Sequence, residues 1–145
     1  MKVLIQSFSY RTGYPADKTG KGGGFVFDCR AIDAYDYTLK ENPNAPFPHM
    51  HLTGLDSKII DTLDADTDTQ NFFEAAWIMV KLDVGKCLNR HFNIMTVNFG
   101  CTAGQHRSVY LAERLATLIR KIYPGVEVEL IHLERSHWPA RSLRA

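Results

Sequence analysis

The residues that offer chemistry are consecutive: Gly100-Cys101-Thr102-Ala103-Gly104-Gln105-His106-Arg107-Ser108. A run that reads as a strand, Asn93 to Phe99, precedes them, and the clearest helical periodicity in the chain, Ser108 to Tyr123, follows. A loop in that place turns unpaired backbone N–H groups toward one point. The helix dipole adds positive potential there, so the segment is built as an anion cradle. Gly100 and Gly104 let the backbone approach a ligand, Arg107 can fork onto two phosphate oxygens, and Thr102 and Ser108 supply hydroxyl donors. His106 titrates near neutral pH and can donate to phosphate or act as an acid. The bland alternative is a helix start capped by its own side chains.

Cys101, five intervening residues, Arg107 and then Ser108 also resemble the C-x5-R-[ST] signature of protein tyrosine phosphatases. In that reading the Cys101 thiolate attacks phosphorus, Arg107 clamps the transferring group, and an aspartic acid protonates the leaving group. Gly100 stands where that signature has histidine, and no WPD-type acid loop is visible. A buried structural thiol at a strand end therefore stays open as the alternative.

The elements that must hold this loop can be read from the pattern of apolar residues. Val3 to Ile5 begins a first strand, with Ser7 to Pro15 as the loop leaving it, and Phe25 to Phe27 makes a second that ends in Asp28-Cys29-Arg30. Tyr35 to His51 holds three prolines and two asparagines, which predicts a surface loop. Ser57 caps a helix at Lys58 to Leu63. A longer helix, Thr69 to Asn89, places Phe72, Phe73, Ala76, Trp77, Val80, Val84, Cys87 and Leu88 on one buried stripe. Val126 to Ile131 is a fourth strand, and the residues from Glu134 read as a mobile tail. Strands separated by helices predict a single α/β domain of three layers with a mostly parallel sheet. Residues 1–134 form that domain and 135–145 a basic, flexible tail.

The 145 residues are enough for one core and leave little room for a second. Seventeen Lys and Arg against sixteen Asp and Glu give a net charge of +1, so no global field selects nucleic acid or an anionic membrane. No apolar run approaches a membrane span, and the start MKVLIQSFSY is too short a run for a signal peptide; a cytoplasmic protein is expected. Three widely spaced cysteines exclude a disulfide framework and a structural zinc site. No metal or other cofactor is expected.

FGCTAGQHRSVYLAERLA closely resembles the GCTGGxHRSVYIAExLA motif of the C-terminal domain of the RapZ family of RNase adapters and nucleotide-binding proteins. SFSYRTGYP resembles its SFGFKYGxP, FVFDCR its LVFDVR, and LTGLD at Leu52 to Asp56 is the same block, all in the family's order. The resemblance implies a domain like a phosphofructokinase subdomain. It implies a regulatory, non-enzymatic module that binds an amino-sugar phosphate such as glucosamine-6-phosphate, with RNA, a protein partner and a second copy of the chain as further partners. Carried over by position, Cys101 to Ser108 take the phosphate, Asp28 and Arg30 complete the ligand pocket, and Asp56 is a further candidate. Arg135, Arg141 and Arg144 stand where the family has a lysine-rich RNA-binding cluster. Gly13 to Thr19 lacks the spacing of a Walker A loop, so no ATP-binding role is expected of these residues.

Several other residues have a sharp and a bland reading. His132 packs under the tail or reaches the site; His49 and His51 are solvated loop residues rather than ligands; Tyr35 and Tyr37 cover a loop or stack on a ligand. Lys18 and Lys21, followed by three glycines, form a basic loop that could wrap a polyanion.

Overall fold

The computed structural model describes residues 1–34 and 51–139. Four strands, β1 (Lys2–Ser9), β2 (Phe25–Asp28), β3 (Ile94–Cys101) and β4 (Glu127–His132), form one sheet in the order β2-β3-β1-β4, and every pairing is parallel. Three helices, α1 (Ser57–Asp64), α2 (Thr67–Asn89) and α3 (Arg107–Ile122), make the crossovers. This is the expected single α/β domain.

Val3 and Ile5 of β1 and Met95, Val97, Phe99 and Cys101 of β3 join residues of α2 and α3 in one core. The opposite face buries Leu4, Gln6, Phe8 and Asn98. Burial on both faces explains why the two central strands read as near-continuous apolar runs. On α3, Val109, Leu111, Leu115 and Ile119 recur at helical spacing and are at most 1% exposed; truncating Leu111 to alanine costs about 2–5 kcal/mol.

Strand β1 runs to Ser9, beyond the expected end at Ile5. Its polar residues are buried and, apart from Gln6 Oε1, hydrogen-bonded: Gln6 Nε2 donates to Asn98 Oδ1 at 2.9 Å, Ser7 Oγ bonds His132 Nδ1 at 2.6 Å, and Ser9 Oγ donates to the Thr102 carbonyl at 2.6 Å. Polarity there is internal pairing, not a loop. Ser57 is the first helical residue of α1; Asp56 is its N-cap. Asp66 caps α2 by accepting from the Thr69 amide at 2.9 Å. Of the stripe expected on α2, Phe73, Ala76, Val80, Val84 and Cys87 are buried, while Leu88 is exposed. The outer face of that helix keeps Ile78 and Leu82 exposed.

The segment after β4 corrects the expectation of a mobile tail from Glu134. Arg135–His137 form a 3-10 turn, and Trp138 is 5% exposed with its indole N–H on the Gly104 carbonyl at 3.0 Å. An amphipathic indole satisfied in this way holds its segment down. Arg141 and Arg144 lie outside the described residues, as do Tyr35, Tyr37 and His49.

Candidate functional site

Residues 102–106 connect the end of β3 to the start of α3, beside the carboxyl ends of β1 and β2. Crevices at the carboxyl ends of parallel strands are where such sheets bind ligands. Three neighbours fix the loop. Ser9 holds Thr102, Trp138 holds Gly104, and the Leu52 carbonyl accepts from Gln105 Nε2 and His106 Nε2, each at 2.7 Å. Gly104 has φ +64°, and a Cβ there would meet Glu134 Cγ at 2.8 Å. Thr102 and Ala103 are exposed at the rim.

Cys101 is the floor. Its sulfur is 2% exposed and shares a hydrogen bond of 3.1 Å with Ser108 Oγ. Burial opposes ionisation, but the Ser108 hydroxyl, the amides of Ser108 and Gln105 and the Arg107 charge outweigh it, so the thiol sits below its ordinary pKa. These amides thus already serve the protein's own sulfur.

Arg107 opens α3 and turns toward the exit of β2, where Nη1 donates to the carbonyls of Arg30 at 3.0 Å and Ile32 at 2.7 Å. Arg30 reaches back to Asp28 through Nε and Nη2, with Nη2 to Oδ2 at 2.7 Å, and lies 3.8 Å from the centre of the Tyr10 ring. That pair lowers the Asp28 carboxyl pKa and raises the Arg30 guanidinium pKa, in both cases first through their hydrogen bond. Asp28 pairs in register with Gly100, so this ion pair borders the loop and is about half exposed. Gly100 is required by packing: a Cβ would lie 2.3 Å from Phe8 Cζ and 2.6 Å from Tyr10 Cε2.

Asp56 commits one carboxylate oxygen within its own block. Its Oδ2 accepts from the Thr53 amide at 2.6 Å and closes the Thr53–Asp56 turn. The LTGLD block nevertheless shapes the site through its backbone. Gly54 N–H donates to the Gln105 carbonyl at 2.8 Å, and a Cβ on Gly54 would strike the His106 carbonyl at 2.5 Å and the Tyr110 amide at 2.6 Å. Of the three candidate arginines, the described one, Arg135, lies 5.6 Å from the Trp138 ring centre, behind Gly104. His132 packs beneath the turn. Its Nε2 donates to Glu113 Oε1 at 2.9 Å and its ring lies 5.3 Å from Trp138.

Sequence reasoning missed Ser9, Thr12, Tyr10, Glu134 and Trp138 as parts of the site's wall. Thr12 Oγ1 donates to Glu134 Oε1 at 2.5 Å and His137 Nδ1 donates to Oε2 at 2.6 Å. Burial raises the Glu134 pKa, yet these bonds outweigh it and leave the carboxyl below its usual range. The only signal for Ser9, Tyr10 and Thr12 lay in the SFSYRTGYP block, whose residues look like loop polarity until the strand ends are assembled, while Glu134 and Trp138 fall in the segment read as a tail. Among the described residues no group of three potential metal ligands occurs, and no helix is long and apolar enough to cross a membrane.

A nucleotide-binding protein of Xanthomonas euvesicatoria is 36% identical over 137 residues, covering 93% of this chain and 43% of that protein. One from Acinetobacter baumannii is 31% identical over 136 residues, covering 94% of this chain and 42% of its own length. One from Acidithiobacillus ferrooxidans is 34% identical over 117 residues, covering 81% and 35%. The chain thus spans less than half the length of these curated relatives. The RapZ C-terminal domain matches residues 1–136, a span that takes in both strand-end blocks, the LTGLD turn and the whole cysteine-to-serine loop, and the chain belongs to that family.

Proposed function

We propose that this domain is a regulatory sensor that binds the phosphate of an amino-sugar phosphate, of the glucosamine-6-phosphate class, in the Gly100–Ser108 loop. The carrying observation is the placement of that loop at the junction of β3 and α3, with Asp28 and Arg30 on the neighbouring strand end. Amides at the helix start and Arg107 favour the phosphate. The exposed Asp28 carboxylate accepts from a sugar ammonium or hydroxyl group. Arg107 grips phosphate through the nitrogens other than Nη1, which is bound to two carbonyls. RNA is a second partner implied by the family resemblance; Arg135, stacked on Trp138, is its described contact candidate.

Equilibrium titration with glucosamine-6-phosphate, inorganic phosphate and glucosamine tests this reading. The sugar phosphate should bind tightest and glucosamine weakest. Equal failure of the sugar phosphate and phosphate to bind refutes it.

One observation favours a cysteine-dependent phosphatase as the second reading: the Cys101 sulfur is held below its ordinary pKa and bonded to Ser108. The engagement of Arg107 with two backbone carbonyls favours binding without phosphoryl transfer. Turnover of an aryl phosphate that Cys101→Ser abolishes would reverse that preference.

A further inference from the structure

The floor of the loop holds a second thiol. β2 pairs with β3 as Phe25 with Val97, Phe27 with Phe99 and Asp28 with Gly100, and Cys29 N–H continues the ladder onto the Gly100 carbonyl at 2.8 Å. The next pair in that register is Cys29 and Cys101. Side chains alternate along strands, so Cys29 shares a face with Phe25 and Phe27, and Cys101 with Val97 and Phe99. The rings of Phe27 and Phe99 meet on that face with centroids 5.4 Å apart. Both sulfurs belong to the same buried core cluster. Adjacent strands lie about 4.8 Å apart, inside the Cα separation of about 4.4–6.8 Å that a disulfide spans.

We infer that Cys29 and Cys101 are a reversible disulfide pair, closed by a peroxide-class oxidant, whose closure resets the hydrogen bonding of the Gly100–Ser108 loop. The two thiols divide the work. Ser108 and the loop amides favour the thiolate at Cys101, whereas burial holds the Cys29 thiol well above its ordinary pKa. Cys101 thiolate attacks a peroxide oxygen; an S–O bond forms, the O–O bond breaks, and the departing hydroxide takes a proton to become water. Cys29 then attacks the sulfenic sulfur: the S–S bond forms, the S–O bond breaks, and the Cys29 proton leaves with the oxygen as a second water. Two thiols lose two electrons and the peroxide is reduced to two waters. The disulfide removes the thiol on which Ser108 and the Gln105 and Ser108 amides converge, so these donors turn to a new acceptor.

Hydrogen peroxide treatment of the full chain, followed by thiol counting and peptide mapping by mass spectrometry, tests the pair without any ligand. The wild type should lose two of its three thiols and yield a linked peptide joining Cys29 to Cys101, and dithiothreitol should restore all three. Cys29→Val fits the same apolar site; it should fold, form no internal link, and leave Cys101 trappable as a sulfenic acid by dimedone. The amide signals of Gln105 and Ser108 should move on oxidation and return on reduction. Three intact thiols after peroxide, or a link through Cys87, overturns the pair; a link that leaves those two amides unmoved overturns the switch. Failure of the phosphate reading changes neither outcome.

Discussion

At Cys101 one sulfur draws on donors that a ligand anion entering the loop would also use. The Ser108 hydroxyl and the amides of Gln105 and Ser108 serve that sulfur, which leaves the outer loop residues, Thr102 to Gly104, and the guanidinium of Arg107 for phosphate. Cys101→Ser keeps a small polar group beside Ser108. Sugar-phosphate affinity should therefore stay within about threefold of the wild type at neutral pH, measured by calorimetry. Arg107→Ala removes a charge-assisted contact, worth about 1.5–3 kcal/mol, so affinity should fall by roughly ten- to a hundredfold. The Arg30 and Ile32 carbonyls lose their donor as well. Glu134 gives a pH prediction. Its folded pKa lies below the unfolded one, so its stabilising effect is complete above the ordinary glutamate range and is lost as pH falls through the folded value. Denaturant midpoints of Glu134→Gln and wild type should converge in acid and separate at neutral pH; a constant gap across that range contradicts this role.

At the scale of elements, the site depends on segments that grip the loop from outside it. Gly54→Ala forces a Cβ against the His106 carbonyl and the Tyr110 amide, both backbone atoms at the start of α3. Overpacking of this kind costs about 1–3 kcal/mol and should weaken phosphate binding with no change to any ligand-facing side chain. Thermal denaturation and calorimetry on one variant read both effects. The four strands and three helices were legible from periodicity, and the strand-loop-helix junction with them, because apolar spacing and the glycine, cysteine and arginine positions are local signals. The ends of β1 and the grip of Trp138 were not. Ser7 and Ser9 read as loop residues because their partners, His132 and Thr102, lie 125 and 93 residues away, and no local pattern reports such pairing. Asp56 closes its own turn through Oδ2, a local role that an acid in the LTGLD block does not announce.

For the molecule as a whole, a parallel sheet brings the ends of β1, β2 and β3 together at one edge, where the candidate site lies. The net charge of +1 sets a limit on RNA. If RNA contacts come from the three C-terminal arginines, log affinity against log salt should have a slope no steeper than about −2, taking roughly 0.7 per phosphate neutralised on a single strand. A much steeper slope would require a larger basic surface than these residues make. The central claim is that phosphate enters the Gly100–Ser108 loop, and backbone amide NMR reads that loop residue by residue. On addition of glucosamine-6-phosphate, the largest shifts are expected at Thr102 to Arg107, with a second group at Asp28 and Arg30 that inorganic phosphate alone does not produce. Shifts elsewhere with these amides unmoved would contradict the claim and make the loop a structural turn.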